Sequence, residues 1–366
     1  MFDFHVSDDE TALFRAAGTF AAERLTPRLR HHEKIGGVDP DLLASAGEIG
    51  LALLELPADL GGAGASPLAK ALVLEALATA DAGAALAIDG LGPALYPLLD
   101  ACGAAGREIA RALAPRPGVR GWVLLDDHAE HVRIESGRVV GTWPWLPASE
   151  IAVVVLIENG RAHVAREPLA LSKVVPCALH AAGSSELSLD SSIACSGDDP
   201  RGVARAVART RLYAAALLVG VATGSLRHAT AYAKERIAFG RPVAHHQGVA
   251  FLIADLATRL DAARLSLHRA AWALSQDGDP TEAAAAAQLD AIDASLEIGE
   301  QGVQLLGGHG YMQDHPVEKW MREARTLAQL FGGRDGALDA LSARALDRRA
   351  GLDLAPPAWD AAREQA

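Results

Sequence analysis

The stretch QLLGGHGYMQDHPVEKWMREAR, residues 304–325, decides which fold the sequence predicts. Gln304 ends a periodic helical pattern, and Gly307, Gly308 and Gly310 leave backbone N–H groups uncovered. Such a turn suits phosphate oxygens, and it also suits a plain helix cap. The glycines follow a predicted helix and do not match G-x-G-x-x-G after a strand, which argues against a Rossmann dinucleotide site.

A second glycine-bearing loop, RIAFGRPVAHHQ at residues 236–247, lies upstream between two long predicted helices. An arginine fork such as that of Arg236 can hold a diphosphate through two hydrogen bonds. The ring of Phe239, next to Gly240, can pack on an adenine, and Gln247 can bond a ribityl or ribose hydroxyl. Residue chemistry alone leaves open the simpler alternative of an interhelix turn with an exposed arginine.

Composition and charge exclude several classes of protein. The chain has 366 residues, 50% of them hydrophobic, which suffices for a large core and two or three domains. Its net charge of -12, from 46 acidic and 34 basic residues, lacks the basic excess of a nucleic-acid binder. Cys102, Cys177 and Cys195 show no C-x-x-C spacing, and no His, Cys or carboxylate spacing predicts a metal site.

The N-terminus MFDFHVSDDE is acidic where a signal peptide would be basic and then apolar. No run approaches the roughly 18 to 20 uncharged apolar residues of a membrane span. We therefore expect a cytoplasmic protein without a membrane span, in a reducing compartment that fits the cysteine usage.

Hydrophobic periodicity divides the chain into four regions. Residues 1–117 are helical from an N-cap at Ser7, and residues 118–199 carry short β-branched segments typical of a compact antiparallel sheet or barrel. Residues 200–350 predict an antiparallel four-helix bundle, and residues 351–366 a peripheral tail. The predicted strands are GWVLL, HVRIE, RVVGTW, IAVVVLI and RAHVA, and the predicted long helices are 203–235, 243–276, 281–306 and 316 to about 348.

The two loops, in this order and at this distance, resemble those of the acyl-CoA dehydrogenase family of flavoproteins, and the resemblance extends over almost the whole chain. It implies a mainly α fold with a small β domain: an N-terminal helical domain, a β-barrel and a C-terminal four-helix bundle. The family implies FAD, a tetramer built as a dimer of dimers, and oxidation of an acyl-CoA thioester to the 2,3-enoyl-CoA. A glutamate takes the α-proton, and electrons usually pass to an electron-transfer flavoprotein.

The family's catalytic glutamate has no counterpart in this sequence. Laying the family motif over VEKWMREARTLAQLFGGRD without a gap places the glutamate at Phe331, followed by Gly332. The usual threonine and glutamine positions are Gly333 and Asp335. Some members carry the base near the start of the first bundle helix, at a position that matches Thr210. Neither position holds a carboxylate, so we predict no catalytic residue in this chain.

The β domain departs from the family as well. GWVLLDDHAEH replaces the family's Thr-Glu-Pro strand segment, and Trp145, Leu146 and Pro147 stand where a Trp-x-Thr or Trp-x-Ser flavin contact is expected. Proline supplies neither a hydroxyl nor a backbone donor. In contrast, the residues by which the family binds the FAD of a neighbouring subunit across the dimer interface are kept: Arg236, Phe239, Gly240, Gln247, Gln304, Gly307 and Gly308.

This separation of kept and lost residues predicts a subunit that completes a partner's FAD site. The resemblance is greatest to the non-catalytic subunit of α2β2 heterotetrameric acyl-CoA dehydrogenases of actinobacterial sterol side-chain degradation, in which a second subunit carries the base. Three alternatives stay open: a homotetramer with a displaced base, a flavin monooxygenase or oxidase of the same fold, and a scaffold without FAD. Candidates for the displaced base are Glu323, Asp335 and Asp339, and His245, His246, His309 and His315 are expected to be loop residues.

Overall fold

A computed structural model describes residues 6–114, 119–125 and 131–350, with side chains up to residue 346. The predicted domain limit between residues 117 and 118, part of the segment GWVLLDDHAEH (126–130) and the predicted tail 351–366 lie outside the described residues.

The N-terminal region is helical, as predicted. Its helices are α1 (Asp8–Phe20), α2 (Leu29–Ile35), α3 (Pro40–Glu48), α4 (Pro67–Ala78), α5 (Ala82–Ile88), α6 (Leu95–Asp100) and α7 (Gly103–Leu113). Ser7 caps α1: its Oγ accepts from the backbone N–H of Glu10 at 3.2 Å, and the Glu10 carboxylate accepts from the Ser7 N–H at 3.0 Å. This reciprocal pair satisfies two N–H groups that the first helical turn leaves free, so the predicted N-cap at Ser7 is confirmed.

The middle region forms a curled sheet of seven strands. These are β1 (Gly121–Leu124), β2 (Val132–Glu135), β3 (Arg138–Leu146), β4 (Val153–Glu158), β5 (Arg161–Ala165), β6 (Leu169–Lys173) and β7 (Ser185–Gly197). The order is β1-β4-β5-β7-β3-β2, with β6 also paired to β7. β7 curls the sheet because its first half pairs with β3 and β6, whereas its last residues pair with β5.

Two expectations about the sheet are corrected. The pairing is not wholly antiparallel, because β1 runs parallel to β4, with Gly121 opposite Val153. The chain enters β1 from the helical region, where the Gly121 N–H donates to Gly90 O at 2.9 Å, and reaches β4 only after the β2–β3 hairpin. β6 and β7 were not among the predicted strands, because serine and aspartate fill the outward positions of β7 and only alternate residues are buried.

The C-terminal region consists of α8 (Pro200–Glu235), α9 (Gln247–Leu274), α10 (Thr281–Leu306), α11 (Val317–Leu327) and α12 (Gly333–Ala350). α8 crosses the core and lies close to α4: a Cβ added at Gly220 would stand 2.4 Å from the Glu75 carbonyl oxygen. In the described part of the chain, α8 is the one helix that is long and apolar enough to span a membrane, and 94% of its most apolar stretch is buried in the fold. The segments α5 and Gly92–Asp100 are long and apolar enough only if the two, which are bent against each other, are counted as one span.

The predicted fourth bundle helix, 316 to about 348, is wrong as a single helix. The helix is interrupted between α11 and α12, where Phe331, Gly332 and Gly333 have φ angles of 55°, 83° and 53°. A left-handed backbone cannot continue a right-handed helix, so the periodic pattern resumes only at Gly333. Phe331, the position to which the resemblance assigns the glutamate, therefore lies in a turn.

Candidate functional site

Phe331 fills the position at which the resemblance places the catalytic glutamate. It is 6% exposed, and its ring centroid lies 5.0 Å from that of Trp122 on β1 and 6.5 Å from that of Tyr213 on α8. The Tyr213 contact is edge to face, an arrangement that aromatic quadrupoles favour. Gln288 Nε2 donates to the Phe331 carbonyl oxygen at 3.4 Å. The turn is thus held by packing and by a buried amide.

Thr210, the alternative base position, is completely buried. Its hydroxyl donates to the Ala206 carbonyl oxygen at 2.9 Å, one turn earlier on α8. The adjacent Arg209 spans the interior, because it pairs with Glu55 at 3.0 Å and Asp100 at 2.9 Å. Thr210 has no carboxylate that could take a substrate proton. Its hydroxyl could turn outward only if the bond to Ala206 broke.

A cavity of about 420 Å³ lies beside Phe331, between the sheet and the turn that joins α11 to α12. Its walls are largely aromatic and aliphatic, and among the described lining residues the ionisable side chains are His131 and Arg325, with no carboxylate. The lining residues are Trp122, Val123, Leu125, His131, Trp143, Pro144, Trp145, Arg325, Thr326, Gln329, Leu330, Phe331 and Gly332. A flat apolar group fits these walls better than an anion does.

Two tryptophans at the end of β3 face this cavity. Trp145, which the resemblance singles out, donates from Nε1 to Ser184 Oγ at 2.8 Å. Trp143, two residues earlier and hence on the same face of the strand, meets His131 edge to face at 6.5 Å. The sequence analysis missed Trp143, although its i, i+2 spacing from Trp145 was a usable signal. Leu146 and Pro147 are buried and do not line the cavity.

The candidates for a displaced base do not line the cavity either. Burial raises the pKa of Glu323 to about 7, a value that would suit a general base. Glu323 is nevertheless 1% exposed and bonded to Lys319, which also pairs with Asp81 at 3.2 Å. It faces the N-terminal helices, while Asp335 and Asp339 are exposed on α12.

The interior behind Phe331 is closed and charged. Lys70 Nζ lies 2.6 Å from Asp89 Oδ1, both side chains are buried, and the ammonium lies 6.0 Å from the Tyr213 ring centroid. Burial raises the pKa of Tyr213 well above its usual value, so its phenol stays protonated. The space enclosed by Lys70, Tyr213 and their neighbours does not admit a water molecule. The cavity therefore ends at the aromatic wall of Trp122, Phe331 and Tyr213.

All seven predicted cofactor residues lie on the outside of the chain. Residues 236–242 form a small hairpin in which Phe239 and Gly240, with φ of 53° and 79°, make the turn. The Phe239 side chain is 96% exposed. Gln247 begins α9, and Gln304 lies in the last turn of α10, ahead of the open Gly307–Gly308 turn. As far as the described residues show, none of the seven lines the cavity beside Phe331.

A cluster of one tyrosine and three histidines connects the C-terminal end of α8 with the stretch 304–325. Tyr232, in the last turn of α8, bonds through its hydroxyl to His309 Nδ1 at 2.6 Å, and His228 Nε2 lies 3.0 Å from His315 Nδ1. His309 and His315 are stacked, with ring centroids 5.9 Å apart. His309 and His315 lie in the connection between α10 and α11, as predicted. No role was predicted for His228 and Tyr232, although their i, i+4 spacing places both on one helix face.

The remaining loop histidines differ in what they contact. His246 braces the hairpin, because its Nε2 lies 3.1 Å from the Ala238 carbonyl oxygen and its Nδ1 lies 3.2 Å from Arg241 Nη2. His245 is exposed. Neither arrangement contributes a base to the cavity.

The exposed loops have the donors that a dinucleotide needs. Within the described chain, the Arg236 guanidinium makes no hydrogen bond or ion pair, and no atom comes within 4 Å of a Cβ added at Gly307 or Gly308. A free guanidinium and an open glycine turn each suit a diphosphate, which accepts hydrogen bonds from both and approaches the backbone closely. The residues present therefore fit the anionic half of FAD.

Comparisons with known proteins agree with this fold. The family model described as acyl-CoA dehydrogenase, C-terminal domain, matches residues 201–346, and the N-terminal domain model matches residues 7–106. Neither match includes residues 107–200, which contain the sheet. An acyl-CoA dehydrogenase of Bacillus subtilis is 41% identical over 123 residues, 34% of this chain and 32% of the relative. A cyclohex-1-ene-1-carbonyl-CoA dehydrogenase of Syntrophus aciditrophicus is 35% identical over 154 residues, 41% of this chain and 37% of the relative.

The chain thus spans about a third of the length of these curated relatives. Solved structures are similar over nearly the whole chain. Butyryl-CoA dehydrogenase from Megasphaera elsdenii superposes with a TM-score of 0.83 at 21% identity, covering 94% of this chain and 100% of the other. A structure described as an electron transferring flavoprotein of Acidaminococcus fermentans gives 0.79 at 24% identity, with 94% and 99% covered. The predicted fold class is confirmed, and the chain belongs to the acyl-CoA dehydrogenase family.

Proposed function

We propose that this chain is a subunit of an FAD-dependent acyl-CoA dehydrogenase that lacks its own catalytic base and completes the FAD site of a partner subunit. One observation carries the proposal: the seven residues suited to FAD lie exposed on outer loops, while an aromatic cluster fills the position of the base. Loops that face outward can serve a cofactor held mainly by another chain. An arrangement of this kind corresponds to an α2β2 heterotetramer.

Each exposed residue has a chemical role in this proposal. Arg236 would hold the diphosphate through two charge-assisted hydrogen bonds, and the N–H groups around Gly307 and Gly308 would donate to its oxygens. Phe239 would pack on the adenine, and Gln247 and Gln304 would bond hydroxyl groups. Bound FAD supplies a hydride acceptor for the β-carbon of an acyl-CoA thioester. The carboxylate that takes the α-proton would belong to the partner subunit.

The proposal extends to partners and setting. We infer a second acyl-CoA dehydrogenase subunit that carries the base, an acyl-CoA substrate, and an electron acceptor such as an electron-transfer flavoprotein. We also propose a role in lipid metabolism of the steroid-degradation type and a cytoplasmic location. The exposed, unpaired Arg236 supports this role. A subunit interface would bury its charge, and a buried charge needs a partner of opposite charge such as a diphosphate.

Co-expression with an acyl-CoA dehydrogenase subunit that carries the glutamate base tests the proposal. We expect one FAD per heterodimer and acyl-CoA oxidation by the complex only. Arg236→Ala should weaken FAD binding to the complex about 10-fold to 100-fold, because two charge-assisted hydrogen bonds are lost. Arg161→Ala, at an exposed arginine of β5, is the control and should leave flavin content unchanged. Dehydrogenation by the chain alone, or full flavin content in the Arg236→Ala complex, would refute the proposed role.

The aromatic cavity beside Phe331 favours a second candidate, a flavin oxidase or monooxygenase of the same fold. A flavin ring is flat and largely apolar, and the cavity offers three tryptophans and no carboxylate among its described lining residues. This candidate predicts that the chain alone retains flavin and consumes oxygen. Purification of the chain alone without flavin excludes it.

A further inference from the structure

Two of the three cysteines lie where the N-terminal helices meet the sheet. Cys102 immediately precedes α7 and is 6% exposed, whereas Cys195 lies on β7 and is half-buried. Cys177 is exposed and belongs to neither element. All three are free thiols. A disulfide framework is absent in this state, yet one pair is placed for reversible chemistry.

The backbone brings Cys102 and Cys195 together. A Cβ added at Gly197 would stand 2.2 Å from the Ala101 carbonyl oxygen and 3.0 Å from the Cys102 nitrogen, so β7 passes directly over this turn. Cys195 is two residues earlier on the same strand, and side chains at i and i+2 point to one face. The face of β7 that carries Cys195 is therefore the face packed on Cys102, and the two thiols are close enough to shift each other's pKa.

We propose that Cys102 and Cys195 form a redox-active pair that a low-molecular-weight disulfide oxidises to an intramolecular disulfide. The bond would connect the turn before α7 to β7 and so close a loop that contains β1 to β6. Neither cysteine lines the cavity beside Phe331 or belongs to the exposed FAD loops, so the inference is independent of the proposed function.

The environments of the two thiols assign their order of reaction. A hydrogen bond from Cys102 lowers the pKa of Cys195, which is also the more exposed thiol, so Cys195 attacks first. The same hydrogen bond and burial raise the pKa of Cys102, so it follows as the resolving thiol.

The electrons and atoms balance in two exchanges. The Cys195 thiolate attacks one sulfur of the small disulfide, whose other sulfur leaves as a thiolate. Cys102 then loses its proton and attacks the Cys195 sulfur, which releases the second small thiol. The protein loses two hydrogens, and one small disulfide is reduced to two thiols.

The test uses the full chain with oxidised glutathione as the small disulfide. Non-reducing digestion and mass spectrometry should show the peptides containing Cys102 and Cys195 joined, with the intact mass lower by about 2 Da, and reductant should reverse it. The thermal midpoint should rise by about 5 °C or more, because the bond closes a long loop in the unfolded chain. Cys177→Ser should change neither result, whereas Cys195→Ser should abolish both.

The contrary results are equally defined. A wild-type chain that keeps all thiols reduced, that stops at a mixed disulfide on Cys195, or that links Cys177 instead would overturn the proposal. If Cys195→Ser proves poorly folded, Cys102→Ala is measured in its place: trapping of the small thiol on Cys195 supports the assigned order, and an unmodified Cys195 contradicts it.

Discussion

Phe331 is a large, buried apolar side chain at the position to which the resemblance assigns a catalytic carboxylate. Its ring contacts one aromatic residue of the sheet, Trp122, and one of the bundle, Tyr213. The residue thus joins two layers of the fold. Because these contacts are apolar and largely buried, they stabilise the fold. We therefore expect a substitution of Phe331 to lower the free energy of unfolding.

Phe331→Ala should lower the free energy of unfolding by about 3 kcal/mol, the low end for truncation of a buried phenylalanine, since one side of the ring borders the cavity. Urea unfolding followed by fluorescence measures this. Phe239→Ala is the matched control: its ring is 96% exposed, so the isolated chain should change by less than about 0.5 kcal/mol. Equal effects of the two substitutions would show that Phe331 does not join the layers.

The residues of the site differ in how far the sequence could predict them. Arg236, Gln304 and their neighbours are recognisable because donors, glycines and spacing lie within short continuous segments. Trp143 and Tyr232 acquire a role only through residues distant in sequence, His131 for the first and His309 for the second. No local pattern encodes such contacts, although the i, i+2 and i, i+4 spacings place each residue on an informative face.

At the scale of elements, the turn between α11 and α12 is the main departure from expectation. Three successive residues with positive φ, which include the non-glycine Phe331, redirect the chain between the end of α11 at Leu327 and the start of α12. Left-handed backbone is costly for a residue with a side chain, so the packing of Phe331 must offset that strain. Gly333 also avoids a contact, because a Cβ there would stand 2.8 Å from the Ala328 carbonyl oxygen.

Gly333→Ala should therefore destabilise the chain by about 1–2 kcal/mol, the cost of a side chain in left-handed backbone. Gly18→Ala is an instructive control, because Gly18 is inside α1 with no atom within 4 Å of an added Cβ. That change should stabilise by about 0.5–1 kcal/mol. Thermal or urea unfolding of both variants measures the difference in sign, and destabilisation of similar size in both would contradict the assignment of the turn.

The first three long helices of the bundle were predictable to within a few residues because their hydrophobic period is long and repeated; the predicted helix 281–306 coincides with α10. The strand order was less accessible. β7 pairs with three strands because of its length and position, and β1 becomes parallel to β4 because it enters the sheet directly from the helical region. Pairing of this kind depends on tertiary contacts, which a short strand sequence does not specify.

At the scale of the whole molecule, buried charges connect the N-terminal helices to the bundle. Lys319 of α11 bonds Asp81, and Arg209 of α8 bonds Glu55 and Asp100. Pairs of this kind add little net stability, but loss of one partner leaves an uncompensated charge. The pairs therefore oppose any shift of the N-terminal helices against the bundle. Arg30 of α2 adds a contact to the stretch 304–325, because it donates to the carbonyl oxygens of Gln313 and His315.

One buried and four partly buried histidines give the stability of the chain a dependence on pH. Burial is the largest cause of a lowered pKa for His32, His163, His180, His228 and His268. A histidine with a folded pKa below its unfolded value of about 6.5 favours folding when neutral. As the pH falls, the unfolded chain binds more protons than the folded chain does. The contribution of these histidines to the free energy of unfolding is therefore fully present above about pH 7 and decreases below it.

His228 allows this prediction to be tested at one residue that also supports the exposed loop. Its pKa is lowered by burial and, in second place, by His315, whose Nδ1 lies 3.0 Å away. Urea unfolding of the wild-type chain should show a falling free energy of unfolding between pH 8 and about pH 5. His228→Gln should be less stable than wild type at pH 8, because a packed ring is lost. The difference in free energy of unfolding between the two proteins should narrow toward pH 5, since only the wild type must protonate this ring on unfolding. A constant difference across this range would show that His228 does not contribute to the pH dependence.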